Sequence, residues 1–203
     1  MYAGAGDVIQ LTHAKPHRVV SGCAFRVAAL LPRETTDPAR HFLEADGMLL
    51  ASDDGPVDAV FVAHADTVDF ALLERAARAI IAGARLLTAS YAPAYAGADG
   101  PILSRGAMTT AALAKASSTR PVIVGKPSRA AMRTVEEQVG VRGGEIAVIG
   151  DDLTMDVALG RLGGARTILV ASGISGPVDL HAIPERRRPD AVVGGVAELL
   201  EWL

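Results

Sequence analysis

The chain has 203 residues, of which 50% are hydrophobic, so one large domain or two small ones can bury a substantial core. The formal net charge of −3 gives no basic excess, which argues against nucleic acid as a partner. Cys23 is the only cysteine, which excludes an internal disulfide and a cysteine-based metal cluster and fits a reducing compartment.

Targeting and membrane signals are missing from the sequence. No apolar run reaches the roughly 18 residues that a membrane-spanning helix needs. The first seven residues contain no Lys or Arg and lead into no signal-peptide pattern. We therefore expect a cytoplasmic protein with no membrane partner.

Short runs of Val, Ile and Leu alternate with amphipathic stretches of helical length, which is typical of a mainly parallel sheet covered by helices. The predicted fold class is therefore α/β. Strands are predicted at Phe25–Leu31, Met48–Ala51, Asp58–Ala63, Arg85–Ala89, Pro121–Val124, Ile146–Gly150, Thr167–Ala171 and Ala191–Val193. Helices are predicted at Asp37–Ala45, Asp69–Ala82, Ala107–Ala116, Ser128–Val139, Thr154–Leu162 and Val196–Leu203.

The helix predicted after Asp69 has one apolar stripe and should bury it on a sheet. The members of this stripe are Leu72, Leu73, Ala76, Ala77, Ile80 and Ile81. Glu74, Arg75 and Arg78 lie largely off the stripe and should face solvent.

Two segments are richer in turn-forming residues than a plain connection requires. The first, residues 90–106, starts at Ser90 and holds two prolines and three glycines. Structureless loops of this length usually bind a ligand or move, so a substrate-facing loop and a disordered connection are both open interpretations. The second, residues 172–189, is more charged and is predicted to be a plain surface crossover.

The most informative stretch runs from Ile146 to Asp156, where an apolar strand leads through Gly150 into Asp151 and Asp152. In open α/β sheets ligands bind at the carboxyl ends of the strands, which is where these carboxylates should lie. Asp156 falls in the first turn of the next helix and can lean back toward them. Such a cluster repels itself unless a cation joins it, and its oxygen ligands suit magnesium. The alternative is that Asp152 or Thr154 simply caps the helix, but capping accounts for only one of the carboxylates.

A second element, Gly125-Lys126-Pro127-Ser128, also joins a strand end to a helix start. A lysine at this place can neutralise a phosphate, while Pro127 and Ser128 start the helix. The spacing differs from that of a P-loop. Taken alone, this element favours a solvated surface lysine at position 126 over a phosphate-binding one.

The order Gly-Lys-Pro, helix, apolar strand, Gly-Asp-Asp-x-x-x-Asp, helix and strand resembles the third and fourth motifs of the haloacid dehalogenase (HAD) superfamily. More narrowly, it is similar to the class IIA subfamily, the NagD-like and nitrophenylphosphatase-like phosphatases. The resemblance runs from about Phe25 to the C-terminus. It implies a partial Rossmann-like core plus an α/β cap. Residues 1–24 would be a remnant of the N-terminal core or a linker, residues 25–120 the cap, and residues 121–203 the C-terminal half of the core.

This resemblance also implies roles for the residues of the two motifs. Lys126 would hold the nucleophile and the phosphoryl group as a catalytic residue. Asp151 would be a ligand of Mg²⁺, and Asp152 with Asp156 would support the metal shell.

The cap implied by the resemblance would contain Ser90 and the loop that follows it. This loop would close over the active site and bind the substrate, a small phosphorylated metabolite. Relatives usually carry Thr-Asn-x-Asp near the point where this chain reads Thr88-Ala-Ser-Tyr-Ala92, so the cap contact is altered.

The family's chemistry starts at an Asp-x-Asp-Gly motif, whose first aspartate attacks phosphorus and whose second acts as acid and base. The sequence holds no such motif, and the nearest string, at residues 44–47, follows a predicted amphipathic helix. We therefore expect negligible phosphatase turnover from this chain. Three explanations are open: a truncated reading frame, a fragment that pairs with a separate N-terminal chain, and a non-catalytic binding protein derived from such a phosphatase. A homodimer or a separate N-terminal half would cover the strand edge that the family's first core strand normally occupies.

Overall fold

The computed structural model describes residues 26–30, 49–50, 55–63 and 68–202. The chain divides into two compact units. The five-stranded unit comprises the described residues of 10–93 and 103–125, and the three-stranded unit comprises those of 94–102 and 126–203. Both units combine a parallel sheet with helices, which confirms the predicted α/β class.

The five-stranded unit is built on a sheet whose neighbouring strands are all parallel. Its strands, numbered along the whole chain, are β1 (Arg26–Leu30), β2 (Leu49–Leu50), β3 (Ala59–Val62), β4 (Arg85–Thr88) and β7 (Val122–Ile123). Their order in the sheet is β2-β1-β3-β4-β7. Parallel neighbours need long crossover connections, and helix α1 (Phe70–Ile81) joins β3 to β4 while helix α2 (Arg105–Ser117) lies between β4 and β7.

Helix α1 begins where the sequence predicts, because the Asp69 side chain accepts a hydrogen bond of 2.7 Å from the Leu72 N–H. Its predicted apolar stripe is largely confirmed, with Ala76, Ala77 and Ile80 buried. Ile81 is the exception, since it is 66% exposed at the end of the helix. The stripe packs in a core with side chains of β3, β4 and α2, namely Val60, Val62, Leu86 and Leu113.

The three-stranded unit has a parallel sheet of order β10-β9-β8, in which β8 spans Ala147–Gly150, β9 spans Arg166–Val170 and β10 spans Ala191–Val193. Helix α3 (Arg129–Val139) precedes β8, and helix α4 (Ala158–Gly163) connects β8 to β9. Short 3-10 segments occupy Gly143–Glu145, Leu180–Ala182, Glu185–Arg187 and Val196–Trp202. Its buried side chains come from α3, α4, β9, β10 and the turn before α4, and include Met132, Val135, Val157, Leu159, Leu169, Val170 and Val193.

The expectation that the segment 90–106 has no regular structure was wrong. This segment contains β5 (Ala94–Gly97) and β6 (Gly100–Leu103), which form a two-stranded sheet. Only two residues join these strands, so the pair is antiparallel. Strand β5 reads Ala-Tyr-Ala-Gly, which gives almost no apolar signal of period two, so the sequence does not predict the hairpin.

Two predicted helices differ from α-helices in the structure. The segment predicted at Thr154–Leu162 starts with a π-helical turn, Leu153–Val157, before α4. The segment predicted at Val196–Leu203 is a 3-10 helix that ends at Trp202. The helix predicted at Asp37–Ala45 lies outside the described residues. No helix within the described ranges is long and apolar enough to span a membrane.

Candidate functional site

The candidate site lies at the carboxyl edge of the three-stranded sheet. Strand β8 ends at Gly150, and Asp151 and Asp152 follow at once, before the π-helical turn. Strand β9 ends at Val170 beside β8, and the loop after it returns to the same edge. This edge is where ligands bind in open α/β sheets, as the sequence analysis expects.

Lys126 and Asp156 form an ion pair in this site. The Nζ atom of Lys126 lies 2.7 Å from Oδ1 of Asp156, and their side chains are 27% and 10% exposed. A carboxylate as buried as that of Asp156 needs a charged or hydrogen-bonded partner. The ammonium group of Lys126 is therefore the cation that this carboxylate requires, and Lys126 is not a free surface lysine.

The second carboxylate oxygen of Asp156 organises the backbone of the turn after β8. Its Oδ2 accepts hydrogen bonds from the N–H groups of Asp151 (3.1 Å) and Asp152 (3.2 Å). This arrangement needs glycine at position 150, because a Cβ atom there would lie 2.2 Å from Cγ of Asp156. Both oxygens of Asp156 are thus used by the protein.

Asp152 caps the helical segment that follows. Its Oδ1 accepts hydrogen bonds from the N–H (2.7 Å) and hydroxyl (2.8 Å) of Thr154 and from the N–H of Met155 (3.2 Å). The capping interpretation of this carboxylate therefore holds, and any role in a metal shell would be added to it. Ser128 caps α3 in the same way, since its Oγ accepts a 3.0 Å hydrogen bond from the Ala131 N–H.

Asp151 is held by the loop after β9. Its Oδ2 accepts a 2.9 Å hydrogen bond from the Ile174 N–H, and its backbone carbonyl accepts one of 3.0 Å from the Ser175 N–H. The hydroxyl of Ser175 in turn accepts a 3.0 Å hydrogen bond from the Leu153 N–H. Gly173 fits closely in this loop, because a Cβ atom there would lie 2.1 Å from Oδ2 of Asp151.

The Gly173–Ser175 loop was not predicted as part of the site. It lies near the start of the segment 172–189, which is predicted to be a plain surface crossover because it is more charged than the segment 90–106. A usable signal was its position directly after an apolar strand that neighbours β8, because both strands end at the same edge.

Ser90 lies in the five-stranded unit, at the carboxyl end of β4. Its Oγ accepts a 3.3 Å hydrogen bond from the Ala92 N–H, and its carbonyl accepts one of 2.9 Å from the buried hydroxyl of Thr88. Thr110, also buried, donates a 3.0 Å hydrogen bond to Thr88 Oγ1. Ser90 is half-buried in this turn, and its part in substrate binding stays a prediction.

The donor set at the carboxyl edge fits magnesium better than a metal that needs an all-protein cage. Among the residues placed by the structure, no group of three or more His, Cys, Asp or Glu side chains could hold a metal ion. Mg²⁺ characteristically takes only one or two carboxylates and completes its shell with water and phosphate oxygens. Asp151 is suited to this role, because within the described part of the chain only one of its carboxylate oxygens, Oδ2, accepts a hydrogen bond.

A protein-family model and several known phosphatases match the part of the chain that contains this site. A family model described as HAD-hydrolase-like matches residues 123–199, a range that includes Lys126 and all three aspartates. Phosphoglycolate phosphatase 1A of Arabidopsis thaliana is 30% identical over 95 residues, which are 47% of this chain and 26% of that protein. Ribonucleotide monophosphatase NagD of Escherichia coli strain K12 is 31% identical over 142 residues, which are 70% of this chain and 54% of that protein. The chain therefore spans about half, or less, of these curated relatives.

A solved structure shares the fold over most of the chain. The p-nitrophenyl phosphatase from Archaeoglobus fulgidus aligns with a TM-score of 0.73 and 28% identity, covering 88% of this chain and 67% of that one. The parallel sheets covered by helices and the likeness to this structure define a fold of the haloacid dehalogenase type. The chain belongs to the HAD superfamily, in the class IIA branch of NagD-like and nitrophenylphosphatase-like proteins, which confirms the resemblance seen in the sequence.

Proposed function

We propose that this chain supplies the phosphate-binding and magnesium-binding half of a HAD-type phosphatase that acts on a small phosphomonoester. The observation that carries the proposal is the 2.7 Å ion pair between Lys126 and Asp156 at the edge where Asp151 also stands. It brings a phosphate-neutralising cation and a candidate metal ligand to one edge of one sheet. The relatives are named as phosphatases of small phosphorylated molecules, which supports the same substrate class.

Lys126 acts in this proposal as an electrostatic clamp for the transferring phosphoryl group. Its ammonium group has three N–H donors, of which the pair with Asp156 uses one. The remaining donors can bind phosphate oxygens. Asp156 orients the Lys126 ammonium group, and it holds the Asp151–Asp152 backbone through its other oxygen.

Asp151 would hold Mg²⁺, with Asp152 and Asp156 supporting the ligand from the surrounding turn. Lys126 pairs with Asp156, and among the described residues no ion pair neutralises Asp151, so the Asp151 carboxylate favours a further cation. Magnesium, when bound, would neutralise negative charge on the transferring phosphoryl group. The further ligands would be water and phosphate oxygens, as is usual for this ion.

The proposed function also assigns the domains, the compartment and the assembly of the protein. Residues 25–120 would form the cap, with Ser90 on its substrate-facing loop, and residues 121–203 the C-terminal half of the core. The protein would work in the cytoplasm on a small phosphorylated metabolite. A homodimer or a separate N-terminal half would complete the core.

This chain should hydrolyse phosphomonoesters at a negligible rate, because its 203 residues contain no Asp-x-Asp-Gly motif. This observation also favours a second candidate function, a non-catalytic binding protein derived from a HAD phosphatase. The two candidates differ in whether a nucleophile supplied from elsewhere restores catalysis. An enzyme half should recover activity, and a binding protein should not.

The first test is hydrolysis of an aryl phosphate with magnesium, measured for this chain alone and for the same chain extended upstream in its reading frame. Activity of the extended form only, abolished by Asp151→Asn, would support the phosphatase. Glu137→Gln is the matched control, because Glu137 is an exposed carboxylate on α3. Inactivity of both forms would favour the binding protein, and magnesium-dependent turnover by the short chain would contradict the expected inactivity.

A second test measures ligand binding and needs no turnover. Binding of Mn²⁺, a paramagnetic substitute for Mg²⁺, is followed in the presence of inorganic phosphate. We expect Asp151→Asn to remove Mn²⁺ binding and Lys126→Ala to weaken phosphate binding. The control for the lysine is Lys115→Ala, at an exposed position in the last turn of α2. Unchanged binding in both site variants would contradict the proposed site.

A further inference from the structure

The loop after β9 has three contacts with the turn that carries Asp151. The Ile174 N–H binds the Asp151 side chain at 2.9 Å, and the Ser175 N–H binds its carbonyl at 3.0 Å. The Ser175 hydroxyl accepts the Leu153 N–H at 3.0 Å. These contacts are about 22 to 24 residues apart in sequence, so they fix one loop on the other rather than closing a local turn.

From these contacts we infer that Ser175 is a positioning residue for Asp151, and that the affinity of the site for a divalent cation depends on its hydroxyl. This inference rests on the proposed function, in which Asp151 is the metal ligand. Ser175 touches neither metal nor phosphate in this account. It acts by holding the backbone on both sides of Asp152, because it binds Asp151 and Leu153 at the same time.

The contact of the Ser175 hydroxyl can be removed without removing the contact of the Ser175 backbone N–H. Ser175→Ala removes the acceptor of the Leu153 N–H but keeps the backbone N–H that binds Asp151. The Leu153 N–H then loses its partner at the start of the π-helical turn, and the turn gains freedom. Ser175→Thr retains a hydroxyl and should restore the contact.

Gly173 supports the same inference by its lack of a side chain. A Cβ atom at this position would lie 2.1 Å from Oδ2 of Asp151 and 2.5 Å from its Cγ. Gly173→Ala should therefore displace the carboxylate itself. Gly144→Ala is the matched control, because a Cβ atom at Gly144 would meet nothing within 4 Å.

The experiment measures Mn²⁺ affinity by electron paramagnetic resonance of the free ion, in the presence of inorganic phosphate, for the full chain and its variants. We expect Ser175→Ala to weaken Mn²⁺ binding on the order of tenfold, as is typical when a group that orients a metal ligand is lost. Ser175→Thr and the exposed neighbour Ser172→Ala should bind as the wild type does. Amide hydrogen exchange at Leu153, which needs no metal, should accelerate in Ser175→Ala and not in Ser175→Thr.

The outcomes separate this inference from the proposed function. Wild-type affinity in Ser175→Ala, together with loss of binding in Asp151→Asn, would overturn the positioning role and leave the metal site standing. Unchanged exchange at Leu153 in Ser175→Ala would overturn it as well. No Mn²⁺ binding by the wild type would contradict the proposed function, and with it any effect of Ser175 on the metal.

Discussion

Lys126 and Asp156 lie 30 residues apart in the chain, and a 2.7 Å ion pair joins their side chains. The pair links the residues just before α3 to the π-helical turn after β8. Because Asp156 also binds the backbone of Asp151 and Asp152, one buried carboxylate connects the lysine to the acidic turn. Changes at either end of the pair should therefore affect both parts of the site.

Lys126→Ala should lower the free energy of unfolding by about 2 kcal/mol, because Asp156 would keep its buried charge and lose its cation. Urea unfolding at neutral pH measures the effect. Lys115→Ala, the exposed control, should change stability by less than about 0.5 kcal/mol. Equal effects of the two substitutions would contradict a structural role of the ion pair.

Gly150→Ala should destabilise the three-stranded unit by about 3 kcal/mol, because the new methyl group would overlap Asp156 and force the turn to move. Thermal unfolding of the variant provides the measurement. The comparison is Gly144→Ala, where there is space for a methyl group. A wild-type melting temperature for Gly150→Ala would show that Asp156 does not occupy this place.

The two buried threonines of the five-stranded unit should respond unequally to loss of the hydroxyl. Thr88 donates to the Ser90 carbonyl and accepts from Thr110, so Thr88→Val leaves a buried donor and a carbonyl without partners. We expect a loss of about 2 kcal/mol for Thr88→Val and less than about 1 kcal/mol for Thr110→Val, which removes only a donor to Thr88. The urea unfolding midpoints of the two variants show which substitution destabilises the protein more. A larger effect of Thr110→Val would refute this hydrogen-bond arrangement.

Asp190 should make stability depend on acid pH. Burial acts to raise the pKa of Asp190, but hydrogen bonds from Thr167 and the charge of Arg161 outweigh it, so the pKa lies below its ordinary value of 3.8. The unfolded chain therefore takes up the proton first as pH falls. The stability contributed by Asp190 is fully present above pH 3.8 and is lost as pH falls through the lowered folded-state pKa.

Asp190→Asn tests this pH dependence. The variant should be less stable than the wild type at pH 6, and the difference should shrink at the acid end. The effect should be small, because the Asp190 side chain is 40% exposed and its ion pair with Arg161 is screened by solvent. Urea unfolding at several pH values measures it, with Asp99→Asn as the control. A stability difference that stays constant with pH would contradict the assignment.

The sequence predicts the strands well because their apolar runs are short, contiguous and bounded by turn residues. Strand β10 is found at the predicted residues Ala191–Val193, and β8 begins one residue after the predicted start at Ile146. The β5–β6 hairpin escapes prediction because its small residues carry no alternating pattern. The π-helical turn at Leu153–Val157 also escapes, since local sequence does not distinguish it from an α-helical start.

The members of the candidate site could be predicted from the sequence more readily than their contacts. Strand ends and charge make Asp151 and Asp156 candidates without any structure, whereas the predicted role of Lys126 depends on the resemblance to the HAD motifs. The pairing of Lys126 with Asp156 depends on how α3 returns the chain to β8, which spacing alone does not specify. Ser175 carries no charge and no motif of its own, so only the contact with Leu153 draws attention to it.

The β5–β6 hairpin belongs to the three-stranded unit, although residues of the five-stranded unit lie on both sides of it in the chain. Neither unit is therefore formed by one continuous segment of the chain. During synthesis the hairpin leaves the ribosome before any strand of the β8–β10 sheet has been made. A fragment that starts at Lys126 would contain both members of the ion pair but not the hairpin, whereas a fragment that stops at Gly125 would contain the hairpin without the rest of its unit.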